Sequence, residues 1–584
     1  MKKYNKFLFL AAAASSVVMA TSCDEDKLEI EQKNATPIEE FYKTDADAES
    51  ALVTVYADTY NNFAFESEYT GWNYSPYLAL INFQGDDIFL AGSGTGDCGP
   101  EREYHDFRYT TANNVVLAGY AAFYRSIHKC NLLINNFELL EGEKSKTMKR
   151  CIAEARVMRA FDHLLLGIYW GTPPIVETVL TGDDRPANAE SQTAVMDWVA
   201  KEIDLALPDL DERKSTEDYE GAVKITKGFA YAVKGKALLW KGDYAGAKAA
   251  LGEVIKSGKY ALVPSEDMTK IGHNNGKGSS EIVFEFNLVS DGTTSLGNRQ
   301  MGNFPYTFNW RYEFLQPLNA GACNLGADGW GWTNPSKEFC DALIKNDGMN
   351  SARRKAWIIS YDEMLYNLAW SSDGDSFTPG KTDAKESDLD RGLKKEYYGN
   401  VGYFCWKTVM HEPGDNLNQS WCGTWNANYT IMRYAEVLLM YAEACAQVGD
   451  PDGTGLQYLN DIQRRAQSNH ISETLTLAEV QNEKWFEMFQ DGCRIADLIR
   501  WKKYETLNTA DHEVWNLYDP VLDYDPVKDK DKPAPKHETI VKKDEQFDFY
   551  KKAGAGFKEG KNELLPFPQR AVDLNTSLKQ NPGW

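Results

Sequence analysis

The stretch IAEARVMRAFDHLLLGIYWGTPPIV, Ile152–Val176, decides how this chain folds. Ile152, Ala155, Val157, Met158, Phe161, Leu164, Leu165, Leu166, Ile168 and Tyr169 put apolar or small groups around most of a helix. A helix apolar on most faces is buried on most faces, so this one is expected at the centre. Its polar members, Glu154, Arg156, Arg159 and Asp162, recur at spacings that allow pairing along the helix. Gly171 and Pro173-Pro174 stop it, because proline lacks a backbone donor and clashes with the preceding turn.

Outward from this helix the same period continues. Val116, Tyr120, Phe123, Ile127, Cys130, Ile134 and Phe137 advance by fours and threes, one stripe of a long helix. Thr44–Tyr60 and Val195–Leu207 predict shorter ones. Gly228–Gly258 is a helical hairpin turning at Gly242-Asp243, and Arg433–Ala466 is a second, turning at Gly449-Asp450-Pro451. Thr476-Leu477-Ala478-Glu479 is a capping box that opens a helix carrying Val480, Trp485, Phe486 and Phe489. Hairpins that cannot bury their faces alone stack on one another. The fold class is therefore mainly α, a tetratricopeptide-like hairpin scaffold forming an α-α superhelix.

Residues 260–430 break the pattern, being rich in glycine and aromatics, with one strand predicted at Ile282–Phe286. Half of the 16 tryptophans lie between 310 and 425, and so long a stretch is more than a connector. It is expected to be an aromatic ligand-binding layer seated on two helical regions, 23–259 and 431–584. Asp519–Lys561 is charged and predicts a solvated excursion. Phe304, Tyr306, Phe308, Trp310, Tyr312 and Phe314 alternate, and Trp330-Gly331-Trp332 follows among Gly, Asp and Asn. Flat rings cover the C–H faces of sugars while Asn, Asp, Gln and Arg bond the hydroxyls. Trp330 and Trp332 are read either as such a platform on an exposed loop or as core filling; Trp357 and Trp406 are read as core.

The formal charge of −23 argues against nucleic acid and polyanionic ligands, unless a local basic patch intervenes. Metalloprotease, serine-hydrolase and P-loop motifs are missing from the sequence, and neither catalysis nor a cofactor is expected. Asp86, Asp87 and Asp97 lack the ordered ligand spacing of a calcium loop and are taken as solvated turn residues. Ten cysteines without zinc spacing predict few disulfides or none.

Met1–Cys23 combines Lys2, Lys3 and Lys6 with an apolar run and small residues, the form of a secretory signal over 1–22. Cleavage before Cys23 is similar to bacterial lipoprotein processing, with Cys23 lipidated, and Asp24-Glu25-Asp26 resembles an acidic export signal. Four segments, taken in order, resemble the SusD/RagB family of Bacteroidetes surface lipoproteins. They are Ala153–Val176, Arg433–Ala444, Asp491–Trp501 and Leu565–Trp584. The resemblance implies an extracellular outer-membrane protein that captures a glycan and delivers it to a SusC-like TonB-dependent transporter. It also implies binding loops near Trp72, Tyr74 and Trp310, besides Trp330 and Trp332. A peptide-capturing member shares the architecture; a structural adhesin and a secreted glycosidase are the readings from other classes.

Overall fold

In a computed structural model the described residues are 41–66, 73–74, 76–90, 99–288, 332–360, 403–412, 414–415, 426–507, 517–518, 539–540 and 556–584. Helices α1 (Asp45–Ala64), α2 (Pro76–Asn82), α3 (Gly99–His105), α4 (Asn114–Glu138), α5 (Lys146–Trp170) and α6 (Gln192–Ala206) open the chain. The single turn α7 (Tyr219–Ala222) precedes the hairpin α8 (Lys227–Lys241) and α9 (Tyr244–Lys256). After the inserted region come α12 (Tyr434–Val448), α13 (Thr454–Arg465), α14 (Leu477–Glu487), α15 (Arg494–Arg500) and α16 (Gln569–Leu574). α1 packs on α4, α4 on α5, α5 on α6, α6 on α8, α8 on α9, α9 on α12 and α12 on α13. One unbroken row of antiparallel neighbours thus joins the two helical regions, which is the superhelix expected.

Side-chain caps set where these helices begin. The side chains of Asn113, Ser145, Ser191, Asp243 and Thr476 each accept from a backbone N–H in the first turn. Each such cap contributes about 1 kcal/mol. The capping box is half realised: Thr476 caps Glu479 N, while the Glu479 carboxylate pairs with His470 and Ser472. Gly242 turns the first hairpin in a left-handed conformation (φ 82°) with open space beside it. The close approach of α8 and α9 is made instead at Gly235, where an added Cβ would stand 2.5 Å from Leu251 Cγ.

α5 is buried on nearly every face, as its sequence requires. Its polar residues do not pair along the helix in the way expected. Arg150, a turn earlier, and the Tyr56 hydroxyl hold Glu154, whereas Arg156 and Arg159 both reach Glu202 on α6. Glu154 thus keeps an i,i+4 pair within α5, while the two arginines find their partner on the neighbouring helix. Asp162 is fully enclosed, and burial raises its carboxyl well above the usual range, favouring the neutral acid.

The inserted region is anchored by strands. β4 (Ile282–Phe286) pairs antiparallel with β8 (Tyr429–Arg433), which runs directly into α12. β3 (Ile88–Leu90) pairs with β5 (Thr333–Pro335), and β6 (Ile358–Ser360) with β7 (Tyr403–Cys405). Between them α10 (Lys337–Asp347) and α11 (Ala352–Trp357) build a second core of Phe339, Leu343, Trp357, Tyr403, Phe486 and Phe489. Trp357 is fully buried there, with its indole N–H donated to Phe486 O at 3.0 Å. The six described cysteines are buried.

A charge network fastens this layer to the scaffold. Arg433, at the end of β8, donates to Glu281 Oε1 (2.5 Å), Glu487 Oε1 (2.9 Å) and Asp491 Oδ2 (2.5 Å). Arg465 bridges Glu281 and Glu487 from the other side. Arg353 of α11 joins Asp347, Glu483 and Glu487, and Lys407 joins Asp491. Burial works to raise the Glu487 carboxyl, yet Arg465, Arg433 and Arg353 outweigh it and hold the pKa at about 2.

Candidate functional site

The residues expected to bind ligand fall in two places. Trp72, Trp310 and Trp330 lie outside the described residues, as does Asp97. Tyr74 is on β2 (Asn73–Tyr74), which pairs with β1 (Phe65–Glu66) in the register Phe65↔Tyr74 and Glu66↔Asn73. The ladder continues straight from α1, and β2 rests against α4, so the Tyr74 segment is held against the scaffold.

Trp332 departs from the exposed-loop reading. It is 6% exposed and belongs to the main apolar core. It immediately precedes β5, whose ladder with β3 (Leu90↔Thr333, Ile88↔Pro335) draws this segment inward. Glycines flanking a tryptophan suggest an open loop, but a strand pairing nearly 250 residues apart in sequence is invisible to local composition.

Asp86 and Asp87 are likewise not solvated turn residues. Asp86 takes two hydrogen bonds from Arg494, at 2.5 and 2.8 Å, and the backbone carbonyls of Asp86 and Asp87 accept from Ser336 Oγ and N. Asp87 is enclosed, and burial, followed by Asp86, raises its pKa to about 7. The pair ties α15 and the start of α10 to β3.

One cluster escaped the sequence reading. The Trp406 ring lies parallel to His411 at 3.9 Å, and His411 sits 4.2 Å from His273. His273 Nδ1 is 2.7 Å from Asp415 Oδ2, and Asp415 also accepts the backbone N–H groups of Asn274, His411 and Glu412. Burial, then His273, lowers the His411 pKa to about 4. The cluster closes the 411–415 loop onto 273–274; it leaves Trp406 half-buried as the cap of a stack rather than in the core. Only its spacing across more than a hundred residues hid it. Among the described residues no group of three or more His, Cys, Asp or Glu is placed to hold a metal ion.

A stacked helical-hairpin scaffold with a strand-pinned second core is the architecture the described residues define. The SusD family model matches residues 280–584, and the chain belongs to the SusD family. It is 22% identical to a SusD-like protein of Bacteroides ovatus, over 86% of this chain and 84% of that one. It is 25% identical to SusD-like protein P2 of Formosa agariphila, over 86% and 91%. Among solved structures, surface glycan-binding protein A from Bacteroides thetaiotaomicron, in complex with laminarihexaose, superposes with a TM-score of 0.68. That match has 20% identity and covers 92% of this chain and all of the other. A SusD-like carbohydrate-binding protein from Bacteroides fragilis gives a TM-score of 0.70 at 19% identity, covering 92% of this chain and all of that one.

Proposed function

We propose that the chain captures a glycan at the cell surface and presents it to a TonB-dependent outer-membrane transporter, without turning it over. The observation that carries this is family membership joined to the aromatic layer: the fold is shared with glycan-binding proteins, and the tryptophans concentrate where the scaffold is elaborated. Trp72, Tyr74, Trp310 and Trp330 supply the ring faces in this reading, while Trp332 belongs to the core. Cys23, lipidated after removal of residues 1–22, holds the protein to the outer leaflet; acyl chains contribute about 0.8 kcal/mol per buried CH₂.

An open platform covers one side of a sugar chain, so dissociation constants of roughly micromolar to millimolar follow, about −8 to −4 kcal/mol. The test is affinity electrophoresis and calorimetry against purified polysaccharides, with a parallel peptide mixture and an assay for reducing ends. Retardation by one polysaccharide class without release of reducing ends is the expected result. Binding of peptides but no polysaccharide assigns the chain to peptide capture, and release of reducing ends makes it a glycosidase.

A further inference from the structure

One groove among the described residues lies away from the layer, with a volume of about 680 Å³. It is formed by the end of α1, the outer face of α4, the 174–186 segment that leaves α5 at its proline stop, and α16. Leu117, Tyr120, Ala121 and Leu578 line it, and Leu180 and Leu574 stand at its mouth, 41% and 66% exposed. Exposed leucines paired across one concavity are apolar surface without an internal use.

The walls are fastened in advance. The Tyr124 hydroxyl donates to Pro174 O at 2.8 Å, and Asn575 Nδ2 donates to Pro186 O at 2.7 Å. These bonds tie α4 and the tail after α16 to the same segment, so little ordering remains when a ligand enters. The volume falls in the range of roughly 300–1,000 Å³ typical of small-molecule sites.

The charge at the groove reverses that of the chain. In a protein of net −23, four cations line it, Arg125, Lys129, Arg185 and Arg570, against two carboxylates. Asp58 pairs with Lys129 at 3.0 Å, Asp184 accepts from Thr181 N and Oγ1, and Arg185 donates to the carbonyls of Gly182 and Asp184. His128 reports the same field, since burial and then Lys129 lower its pKa.

We infer that this groove binds an amphipathic organic anion, a carboxylate with a compact aliphatic body the size of a medium-chain fatty acid. The body packs between Leu117, Tyr120, Leu180 and Leu574, and the head group meets the rim arginines. The apolar part of the lining takes the body and the excess of cations takes the head group, and the volume suits a small molecule.

The test uses anilinonaphthalene sulfonate fluorescence on the purified protein, with displacement by dodecanoate, dodecyltrimethylammonium or dodecyl maltoside. Dodecanoate should displace the probe from one site, and displacement should weaken as salt rises. Ala121→Trp, which fills the groove, should abolish it. Arg185→Glu with Arg570→Glu, both on the exposed rim, should weaken it at least about tenfold with an unchanged Tm. Equal displacement by the cationic or neutral amphipath overturns the inference, as does binding that survives Ala121→Trp. Displacement by trigalacturonate but not by dodecanoate would assign the groove to an acidic sugar. A reversible dimer that Leu574→Glu disrupts would assign it to a second copy. Either result refutes the fatty-acid ligand.

Discussion

Replacing Arg433 by Met keeps the length of the side chain and removes one cation from an enclosed network. Arg433 serves Glu281, Glu487 and Asp491 at once and lies 5.7 Å from the Trp357 ring. Removing one partner of a buried ion pair typically costs about 3–5 kcal/mol, mostly the cost of the charge left behind. Here the stranded carboxylates retain help: Arg465 still reaches Glu281 and Glu487, Arg353 still reaches Glu487, and Lys407 still reaches Asp491. The low end, about 3 kcal/mol, is therefore expected from denaturant unfolding. Adding Glu487→Gln should recover roughly 0.5–3 kcal/mol relative to the sum of the single effects, because each change relieves the imbalance left by the other. The wild-type protein carries its own signature. Glu487 has a folded pKa of about 2, depressed from 4.5, so its contribution is complete above about pH 4.5 and is lost as the pH falls towards 2. Arg433→Met should weaken that acid dependence. A loss below about 1 kcal/mol, or strict additivity of the two substitutions, would refute the network as the fastening between layer and scaffold.

Trp332→Ala should destabilise the protein by about 3–5 kcal/mol, since it empties core volume beside β5. Trp330→Ala should instead weaken glycan binding about tenfold, roughly 1.4 kcal/mol, with little change in Tm; calorimetry and thermal unfolding separate the two. Leu438→Asp, at a position 2% exposed on α12, should cost several kcal/mol by burying a charge, seen as loss of soluble folded protein. Cys23→Ala should leave the protein out of the membrane fraction on cell fractionation. Glu285, enclosed and holding Asn428 Nδ2 at 2.6 Å, has its pKa raised to about 7, chiefly by burial. Because the folded form binds its proton more tightly, stability should fall as the pH rises from about 4.5 to 7 and then level off; Glu285→Gln should flatten that slope in unfolding measurements.

What could be read from the sequence follows from the range over which each signal acts. The stripe from Val116 to Phe137 and the all-round apolarity of α5 are local patterns, and the helices begin and end within a few residues of where those patterns and their caps place them. The α8–α9 hairpin is similarly local, although its sequence draws attention to the turn glycine when Gly235 makes the contact. Long-range pairing leaves no periodic trace. Nothing near Trp332 announces that residues 88–90 will pair with 333–335 and take its ring into the core. Nothing near Asp86 announces Arg494, and nothing near Arg433 reveals that a motif residue at a helix start is also the last rung of a strand against Ile282. The same long-range closures that hid these residues explain the design. A layer of aromatic, glycine-rich chain cannot hold itself in place by local propensity, so it is pinned by short ladders, its own small core and a buried charge network. Arg433, Glu487 and Asp491 are where the scaffold and the strand-borne insertion meet in that network.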